Sequence, residues 1–234
     1  MSTPAAPTSI QDFFDLWSLY DLVLDRDYMF HRELYDTVRH TLAGHFGDRA
    51  FSVLDLGCGS GRHLAPALQS LNVNRYEGHD LSPVAIDHAR RNFAAARFTT
   101  RLVTGDLRAA LQAGAETFDL IFSGFTLHHF TAAERGEILR ALRCRLAPGG
   151  LVLVVDSMRD EGDSRERWLD RYCGWIETEW RDIAPEGLRT IVGHIRECDR
   201  PGTVAEYNAH AAAAGLAQHG EVYRRGWHSI WRGA

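Results

Sequence analysis

The chain has 234 residues, a formal net charge of −5 and 45% hydrophobic residues. This length suits one domain with a sizeable core, and no apolar run approaches the roughly 18 residues that a membrane-spanning helix needs. Lysine is absent and acids outnumber arginines, which argues against a nucleic-acid surface because such surfaces need a basic stripe to neutralise phosphates.

The amino-terminal residues 1–9 lack the basic start and apolar stretch of a secretory signal, and we expect them to be a disordered tail. The four cysteines, Cys58, Cys144, Cys173 and Cys198, show no C-x-x-C spacing. Thiols without a pairing pattern are typical of a reducing compartment, so a cytoplasmic location is expected.

Two helical segments come next. Apolar side chains recur at helical spacing from Phe13 through Leu16 and Trp17 to Leu24. A second segment runs from Asp27 to Gly44. We therefore expect residues 10–46 to form amino-terminal helices.

A buried strand and a glycine turn follow these helices. Phe51 to Leu56 is a short apolar run of strand length, and glycines occupy positions 57, 59 and 61. Residues 62–71 then have helical periodicity. Strand, glycine turn and helix form the entry to a doubly wound α/β fold, in which ligands bind at the carboxyl ends of the strands.

The next units repeat this alternation. Residues 74–79 predict a strand that ends at Asp80, and Ser82-Pro83 is a favourable helix start. Residues 101–104 predict a third strand, which is followed by Gly105 and Asp106. A fourth strand, residues 118–123, leads into a Gly-Phe-Thr-Leu-His-His-Phe stretch at 124–130.

The elements after the fourth strand are also marked in the sequence. Thr131 and Glu134 form a capping-box pattern at the start of a helix. We expect that helix to run through Leu146 and to stop at the Pro-Gly-Gly turn of 148–150, with a fifth strand at 151–155.

The dinucleotide fingerprint G-x-G-x-x-G is not met, because position 62 is arginine. The pattern D-x-G-x-G-x-G from Asp55 to Gly61 instead resembles motif I of the class I S-adenosylmethionine (SAM)-dependent methyltransferases. The stretch around 123–130 resembles their motif IV. These landmarks cover about residues 51–156. The resemblance implies a Rossmann-like α/β sheet of order 3-2-1-4-5-7-6 with an antiparallel seventh strand.

The resemblance also implies a SAM site at the strand ends, with S-adenosylhomocysteine (SAH) as the product. Asp80 would accept the ribose hydroxyls, and Asp106 would face the adenine amino group. The implied cofactor-binding residues are Asp55, Gly57, Cys58, Gly59, Gly61, Asp80, Leu81, Asp106, Leu107, Ser123, Gly124 and Phe125.

After strand five the chain leaves the common core of that family. Residues 157–200, here called the insertion, are polar and rich in tryptophan, and the resemblance implies a helical lid over the acceptor. Residues 201–214 predict a last helix, and 220–223 with 226–231 predict an edge hairpin. The whole chain is expected to be one methyltransferase domain.

Acidic residues are concentrated in the segments expected to cover the site. Residues 12–36 contain seven acids and two arginines, and residues 160–200 contain eleven acids and seven arginines. Electrostatic focusing would favour a cationic acceptor such as an amine. The alternative is that these helices simply present charged faces to solvent.

By the same resemblance, the amino-terminal helices and the insertion wall the acceptor pocket. The candidate acceptor-binding residues are Tyr20, Tyr28, Met29, His31, Trp175 and His194. An aromatic face among them can stabilise the sulfonium by cation–π attraction. The alternative for the aromatic residues is ordinary packing against the sheet.

His128 and His129 are the candidate catalytic residues, since histidine is the side chain best suited to accept a proton near neutral pH. One of them would act as general base or orient the acceptor, while the other could be structural. No H-x-x-x-H spacing is present, so no metal is expected.

The sequence thus predicts methyl transfer from SAM to a small molecule, with an amine slightly favoured over a hydroxyl or carbon acceptor. The alternative is a SAM-binding protein that is non-catalytic or that methylates a protein partner. We expect a monomer or homodimer, with neither a nucleic acid nor a membrane as partner.

Overall fold

The computed structural model describes residues 17–112 and 116–234. The expected tail at 1–9 and the predicted helical positions Phe13 and Leu16 lie outside the described residues. A seven-stranded sheet of order β3-β2-β1-β4-β5-β7-β6 is the centre of the molecule. The predicted strand order is therefore confirmed.

The strands are β1 Phe51–Leu56, β2 Val73–Asp80, β3 Thr99–Thr104, β4 Phe118–Gly124, β5 Leu146–Ser157, β6 Gly220–Arg225 and β7 His228–Gly233. The helices are α1 Trp17–Asp25, α2 His31–Phe46, α3 Leu64–Gln69, α4 Pro83–Asn92, α5 Leu107–Gln112, α6 Ala132–Arg145, α7 Arg165–Glu179, α8 Pro185–Cys198 and α9 Val204–Ala214. A short 3-10 turn, Leu127–His129, follows β4.

Strands β1 to β5 are parallel, and β7 runs antiparallel to both β5 and β6. Every residue of β1 is buried, as expected for a central strand with helices on both faces. Because all five parallel strands end at the same edge, the loops after β1, β2, β3 and β4 meet there. This edge carries the predicted site.

Two apolar layers enclose the sheet. On one face, the α2 side chains Leu34, Val38 and Leu42 pack against β1, β4 and β5. On the other face, Ile138, Leu139 and Leu142 of α6 pack with residues of α5 and α9. The helical periodicity read from the sequence therefore corresponds to the buried faces of these helices.

The insertion forms a third apolar cluster of its own. Trp168 and Tyr172 of α7 pack with Ile191 and Ile195 of α8, and Val23 of α1 joins them. The insertion and the first amino-terminal helix therefore share a core, which positions both beside the strand ends. Among the described residues, no helix combines the length and apolarity needed to cross a bilayer.

Many acids of these segments are paired on the outside. Asp160 contacts Arg171 at 3.3 Å, Asp170 contacts Arg196 at 3.0 Å, and Asp182 contacts Arg26 at 3.3 Å. Exposed pairs of this kind contribute little to stability. These acids are therefore neutralised by arginines at the surface.

Two element boundaries differ from the sequence prediction. Helix α6 ends at Arg145, and Leu146 is already extended and paired with Phe118 of β4, because its side chain is needed in the core. Strand β5 therefore begins before the Pro-Gly-Gly turn and not after it. Helix α3 is also shorter than the predicted 62–71, spanning Leu64–Gln69.

Replacement of Val152 tests the packing of the central sheet. Val152 is 1% exposed in β5, whereas Val222 is 39% exposed in β6. We expect Val152→Ala to lower the free energy of unfolding by about 2 kcal/mol, because two buried methyl groups and their packing are lost. The control Val222→Ala should change it by less than about 0.5 kcal/mol. Urea unfolding followed by circular dichroism measures both, and equal effects would contradict the assigned core.

Candidate active site

The glycine turn after β1 is anchored to the end of β2. The backbone N–H groups of Gly57 and Cys58 donate to the His79 carbonyl at 2.8 and 2.9 Å. The N–H of Gly59 donates to Asp80 Oδ2 at 2.8 Å. Two neighbouring strand ends are thereby joined by three hydrogen bonds, which set the floor of the site.

Glycine is required in this turn for conformation and for space. Gly57 and Gly61 have φ values of +75° and +64°, which side chains rarely adopt. A Cβ at Gly57 would lie 2.2 Å from Thr126 Oγ1, and one at Gly61 would lie 2.4 Å from Phe93 Cε2. Any larger residue would push the loop after β4 or helix α4 away from the turn.

Asp80 presents an oriented carboxylate at the end of β2. Its Oδ1 accepts the Ser82 N–H at 2.9 Å, while Oδ2 accepts from Gly59. Burial raises the pKa of this carboxyl, and the two N–H donors oppose that rise. Each carboxylate oxygen can accept a further hydrogen bond, so Asp80 is able to hold a pair of vicinal hydroxyls.

Asp55 is a second, more deeply buried carboxyl. Its Oδ2 accepts from the Tyr76 hydroxyl at 2.6 Å, and Oδ1 has no hydrogen-bond partner among the described residues. Burial raises the pKa of Asp55 to about 7; the Tyr76 hydrogen bond lowers it and nearby Asp80 raises it. An orphaned carboxylate oxygen in a cavity wall is a receptor for a cationic group.

Asp106 lies at the rim and is partly exposed. Arg108 donates to its Oδ2 at 2.8 Å through Nη2 and to its Oδ1 at 2.7 Å through the backbone N–H. These hydrogen bonds lower the pKa of the Asp106 carboxyl. The side chain is therefore an ionised acceptor at the mouth of the site.

A cavity of about 210 Å³ lies above the glycine turn. The structure brings eleven of the twelve predicted cofactor residues together in its wall: Asp55, Gly57, Cys58, Gly59, Gly61, Asp80, Leu81, Asp106, Leu107, Gly124 and Phe125. Ser123 is the exception. It is buried between strands, where its hydroxyl donates to the Leu56 carbonyl at 2.9 Å.

The same wall contains residues outside the predicted cofactor set, among them Tyr35 and Thr126. Tyr35 follows His31 by one helical turn, and both rings lie on the cavity side of α2. The i, i+4 spacing from a predicted site residue was the signal that could have found Tyr35.

A second cavity of about 70 Å³ lies between the first and the insertion. Among the predicted residues, Tyr20, Met29, His128, His129 and His194 line it. Tyr20, Phe125 and His129 belong to the walls of both cavities. The two spaces therefore adjoin at these three side chains.

Three predicted acceptor residues lie elsewhere. Tyr28 stacks on Trp180 with ring centroids 5.1 Å apart, and its hydroxyl donates to Asp182 at 3.2 Å. Trp175 packs edge-on against Trp180. Neither Tyr28 nor Trp175 lines either cavity, because both rings fill the contact between the insertion and the amino-terminal segment. His31 lines the first cavity, not the second.

His128 is held by a buried carboxylate. Its Nδ1 lies 2.5 Å from Asp156 Oδ1, and Asp156 also accepts from the Ser157 N–H at 2.9 Å and the Tyr207 hydroxyl at 3.3 Å. Burial lowers the pKa of His128, but Asp156 and Asp199 outweigh it and raise that pKa to about 9. In the ligand-free protein His128 is therefore an imidazolium at neutral pH.

His129 differs from His128 in its protonation state. Its Nδ1 lies 3.4 Å from Asp199 Oδ1, but burial and the neighbouring His128 lower its pKa. His194, whose ring centroid is 5.6 Å from that of His129, has its pKa lowered by burial to about 4. Of the two candidate catalytic histidines, His129 is thus the neutral one and the one that faces both cavities.

Residues 53–150 match a protein family described as a methyltransferase domain. An uncharacterized methyltransferase of Synechocystis is 32% identical over 127 residues, which is 54% of this chain and 57% of that protein. Residues 53–150 are therefore a methyltransferase domain, and the order of the seven strands is that of the class I SAM-dependent methyltransferases. The chain spans a little over half of the length of the curated relatives it matches.

Two other proteins are similar to this chain. Carboxy-S-adenosyl-L-methionine synthase from Desulfotalea psychrophila is 28% identical over 144 residues, covering 59% of this chain and 56% of that protein. The structure of magnesium protoporphyrin IX methyltransferase from Synechocystis, solved with SAH, superposes with a TM-score of 0.66 at 16% identity and covers 96% of each chain. At that identity the superposition shows a shared fold.

The wall of the first cavity fits the cofactor of this methyltransferase family. SAM carries two ribose hydroxyls, an ammonium group and a sulfonium. Asp80 offers an oriented pair of acceptors, and Asp55 offers an orphaned carboxylate oxygen beside them. The acceptors in the wall are therefore chemically matched to SAM.

Replacement of Asp80 tests the ribose contact. We expect Asp80→Ala to weaken SAM binding about 10- to 100-fold, because hydrogen bonds to a charged acceptor are lost. Asp87 is exposed on α4 and paired with Arg90, so Asp87→Ala is the matched control and should bind normally. Isothermal titration calorimetry measures both, and unchanged affinity in Asp80→Ala would remove the assignment.

The Asp55 carboxyl predicts a pH dependence. Because its pKa is about 7 and SAM is cationic, affinity should rise as the pH increases through 7 and Asp55 ionises. Tyr76→Phe removes a hydrogen bond that lowers this pKa, so the midpoint should move to higher pH. Tyr223→Phe, in β6, is the control. Titrations across pH 5.5–9 measure the midpoints, and coincident curves for Tyr76→Phe and wild type would contradict the assignment.

Proposed function

We propose that the protein transfers the methyl group of SAM to a small-molecule acceptor and releases SAH. The observation that carries this proposal is the pair of adjoining cavities. One is lined by the cofactor residues, and the other lies beneath the insertion and shares Tyr20, Phe125 and His129 with it. The junction is where a methyl group could pass between donor and acceptor.

Cofactor binding follows from the wall of the first cavity. Asp80 holds the ribose, Asp106 faces the adenine amino group and Asp55 faces the ammonium group of the methionyl part. Phe125 and Tyr20 are aromatic side chains at the junction, where their faces can stabilise the sulfonium by cation–π attraction. His31, whose two ring nitrogens have no hydrogen-bond partner in the described part of the chain, offers a polar contact in the same wall.

The transfer itself demands little covalent chemistry from the protein. A lone pair of the acceptor forms a bond to the methyl carbon while the carbon–sulfur bond breaks, and its electron pair goes to sulfur. Holding the two reactants in line at near-contact distance can remove about 7–11 kcal/mol of the barrier. Orientation by the two cavity walls is therefore the main catalytic contribution.

The acceptor must also lose a proton when it is a hydroxyl or an ammonium. His129 is neutral and lies at the junction, so it can accept that proton. The Asp199 carboxylate 3.4 Å from its Nδ1 would stabilise the imidazolium that forms. His128, held by Asp156 at 2.5 Å, acts as a positioning group beside it.

The acceptor class follows from the second cavity. An amine is favoured by Asp199, the carboxylate in that cavity's wall. A hydroxyl is favoured by the neutral histidine at the junction. The small volume of the cavity, about 70 Å³, supports a small acceptor over a protein partner. All four cysteines are free thiols, which supports a cytoplasmic setting.

Incubation with methyl-labelled SAM and a cell extract, followed by separation by size, tests the reaction. We expect label in the small-molecule fraction, where mass spectrometry identifies the methylated atom. Label confined to protein would favour a macromolecular acceptor. Intact SAM binding with no label in any fraction would favour a non-catalytic SAM-binding protein.

Replacement of His129 tests proton removal. We expect His129→Gln to lower kcat by about 10²- to 10⁴-fold, the usual contribution of a positioned base, with SAM affinity nearly unchanged. His45 lies on the far end of α2, against the Gly149 carbonyl, and His45→Gln is the control. Steady-state kinetics with the identified acceptor measures both variants. A normal kcat in His129→Gln would remove the base assignment.

A further inference from the structure

A cluster of two histidines and one aspartate lies in the wall of the second cavity. His128, His129 and Asp199 each offer one ligand atom, and these atoms lie within 4.8 Å of one another. Asp199 Oδ1 lies 3.4 Å from His129 Nδ1 and 3.7 Å from His128 Nε2. Zn²⁺ bonds of about 2.0–2.1 Å in tetrahedral geometry place ligand atoms about 3.3–3.4 Å apart. The cluster is therefore nearly at metal-ligand spacing.

The central oxygen of this cluster is buried between the two histidines. The Asp199 side chain is 5% exposed, and its ion pairs in the described chain are with His128 and His129. Buried carboxylates are normally paired or bound to a metal. Asp199 Oδ1 and the two imidazole nitrogens that it faces can all be ligands of one cation.

A supporting hydrogen bond orients one histidine. Asp156 Oδ1 accepts from His128 Nδ1 at 2.5 Å, and the Tyr207 hydroxyl and Ser157 N–H fix Asp156 in turn. This arrangement leaves Nε2 of His128 directed at Asp199. Metal-bound histidines almost always have such a carboxylate or carbonyl partner on the other ring nitrogen.

The charge and the ligand types identify the cation. Asp156 and Asp199 are two buried carboxylates, and every ion pair found for them in the described chain is to a histidine. Two imidazoles and one carboxylate suit Zn²⁺ and related transition metals, whereas Mg²⁺ and Ca²⁺ prefer all-oxygen sites. Three protein ligands with an open fourth position are typical of catalytic zinc sites.

We propose that His128, His129 and Asp199 form a binding site for a divalent transition metal of the Zn²⁺ class. The site lies in the acceptor cavity, so its open position would take the acceptor atom. This role rests on the proposed methyltransferase function, and it selects a hydroxyl or thiol as acceptor. A metal-bound oxygen or sulfur keeps lone pairs for attack, whereas a metal-bound amine has none.

Methyl transfer would then start from the metal-bound acceptor. The bound acceptor loses its proton to water, because a metal lowers the pKa of a coordinated O–H or S–H group. A lone pair of the resulting anion forms the bond to the methyl carbon. The carbon–sulfur bond of SAM breaks with its electron pair on sulfur, giving neutral SAH. In this arrangement His129 is a metal ligand and the metal replaces it as the group that makes the acceptor nucleophilic.

Zn²⁺ binding to the full chain tests the site directly. The protein is stripped with a chelator, dialysed, and titrated with Zn²⁺ against a chromogenic competitor. We expect one Zn²⁺ per chain in the wild type, at least about tenfold weaker binding in Asp199→Asn and about 10- to 100-fold weaker binding in Asp156→Asn. The controls Asp170→Asn and His40→Gln, both of exposed residues paired on the outer surface, should bind like the wild type.

The SAM affinity of each variant is also measured after metal has been removed with the chelator. Because neither Asp156 nor Asp199 lines the cofactor cavity, normal SAM affinity shows that the variant is folded. Wild-type protein that binds no Zn²⁺, or Asp199→Asn with wild-type Zn²⁺ affinity and intact SAM binding, would overturn the site. Methylation lost on chelation and restored by Zn²⁺ supports its catalytic role. Full methylation by chelated protein would overturn that role and leave the methyltransferase proposal intact.

Discussion

The hydrogen bonds between the glycine turn and the end of β2 are the constraint on which the site depends. Three backbone N–H groups, those of Gly57, Cys58 and Gly59, are fixed by the His79 carbonyl and the Asp80 carboxylate. The same contact bends the chain away from the sheet and turns Asp80 toward the cavity. Thr126 packs so closely on Gly57 that the loop after β4 is positioned too. One local arrangement therefore places the first, second and fourth strand ends around a single cavity.

The second cavity is built differently, from elements that are distant in the sequence. Helix α1 and the insertion share an apolar cluster, and this cluster covers the strand ends. It encloses a small cavity whose wall includes three histidines and Asp199. The junction of the two cavities is formed by two parts of the molecule. Phe125 comes from the sheet edge, and Tyr20 comes from the first amino-terminal helix. Methyl transfer and metal binding are both proposals about this junction, and they differ in whether His129 carries a proton or a cation.

Features that depend on short stretches of sequence were predicted well. The strands, the glycine turn and the acids at the strand ends follow from patterns within a few residues, whereas the sheet order was implied by the family resemblance. Eleven of the twelve residues predicted to bind the cofactor line one cavity. Ser123 lies outside it because alternate strand residues point to opposite sides. Tyr28 and Trp175 were placed in the acceptor pocket, but they line neither cavity. Aromatic residues in a core and aromatic residues in a pocket wall have the same spacing in the sequence, so the spacing does not distinguish them. The pairing of His128 and His129 with Asp199 could not be predicted, since it arises from the way the insertion folds back on the sheet edge.

A crystal structure with SAH would show whether the two cavities are donor and acceptor halves of one reaction site. We expect the ribose hydroxyls on Asp80 and the sulfur at the junction, with its open side facing Tyr20, Phe125 and His129. The direction that the methyl group would take should point into the cavity beneath the insertion. SAH bound with its sulfur turned away from that cavity, or with its ribose off Asp80, would contradict this arrangement.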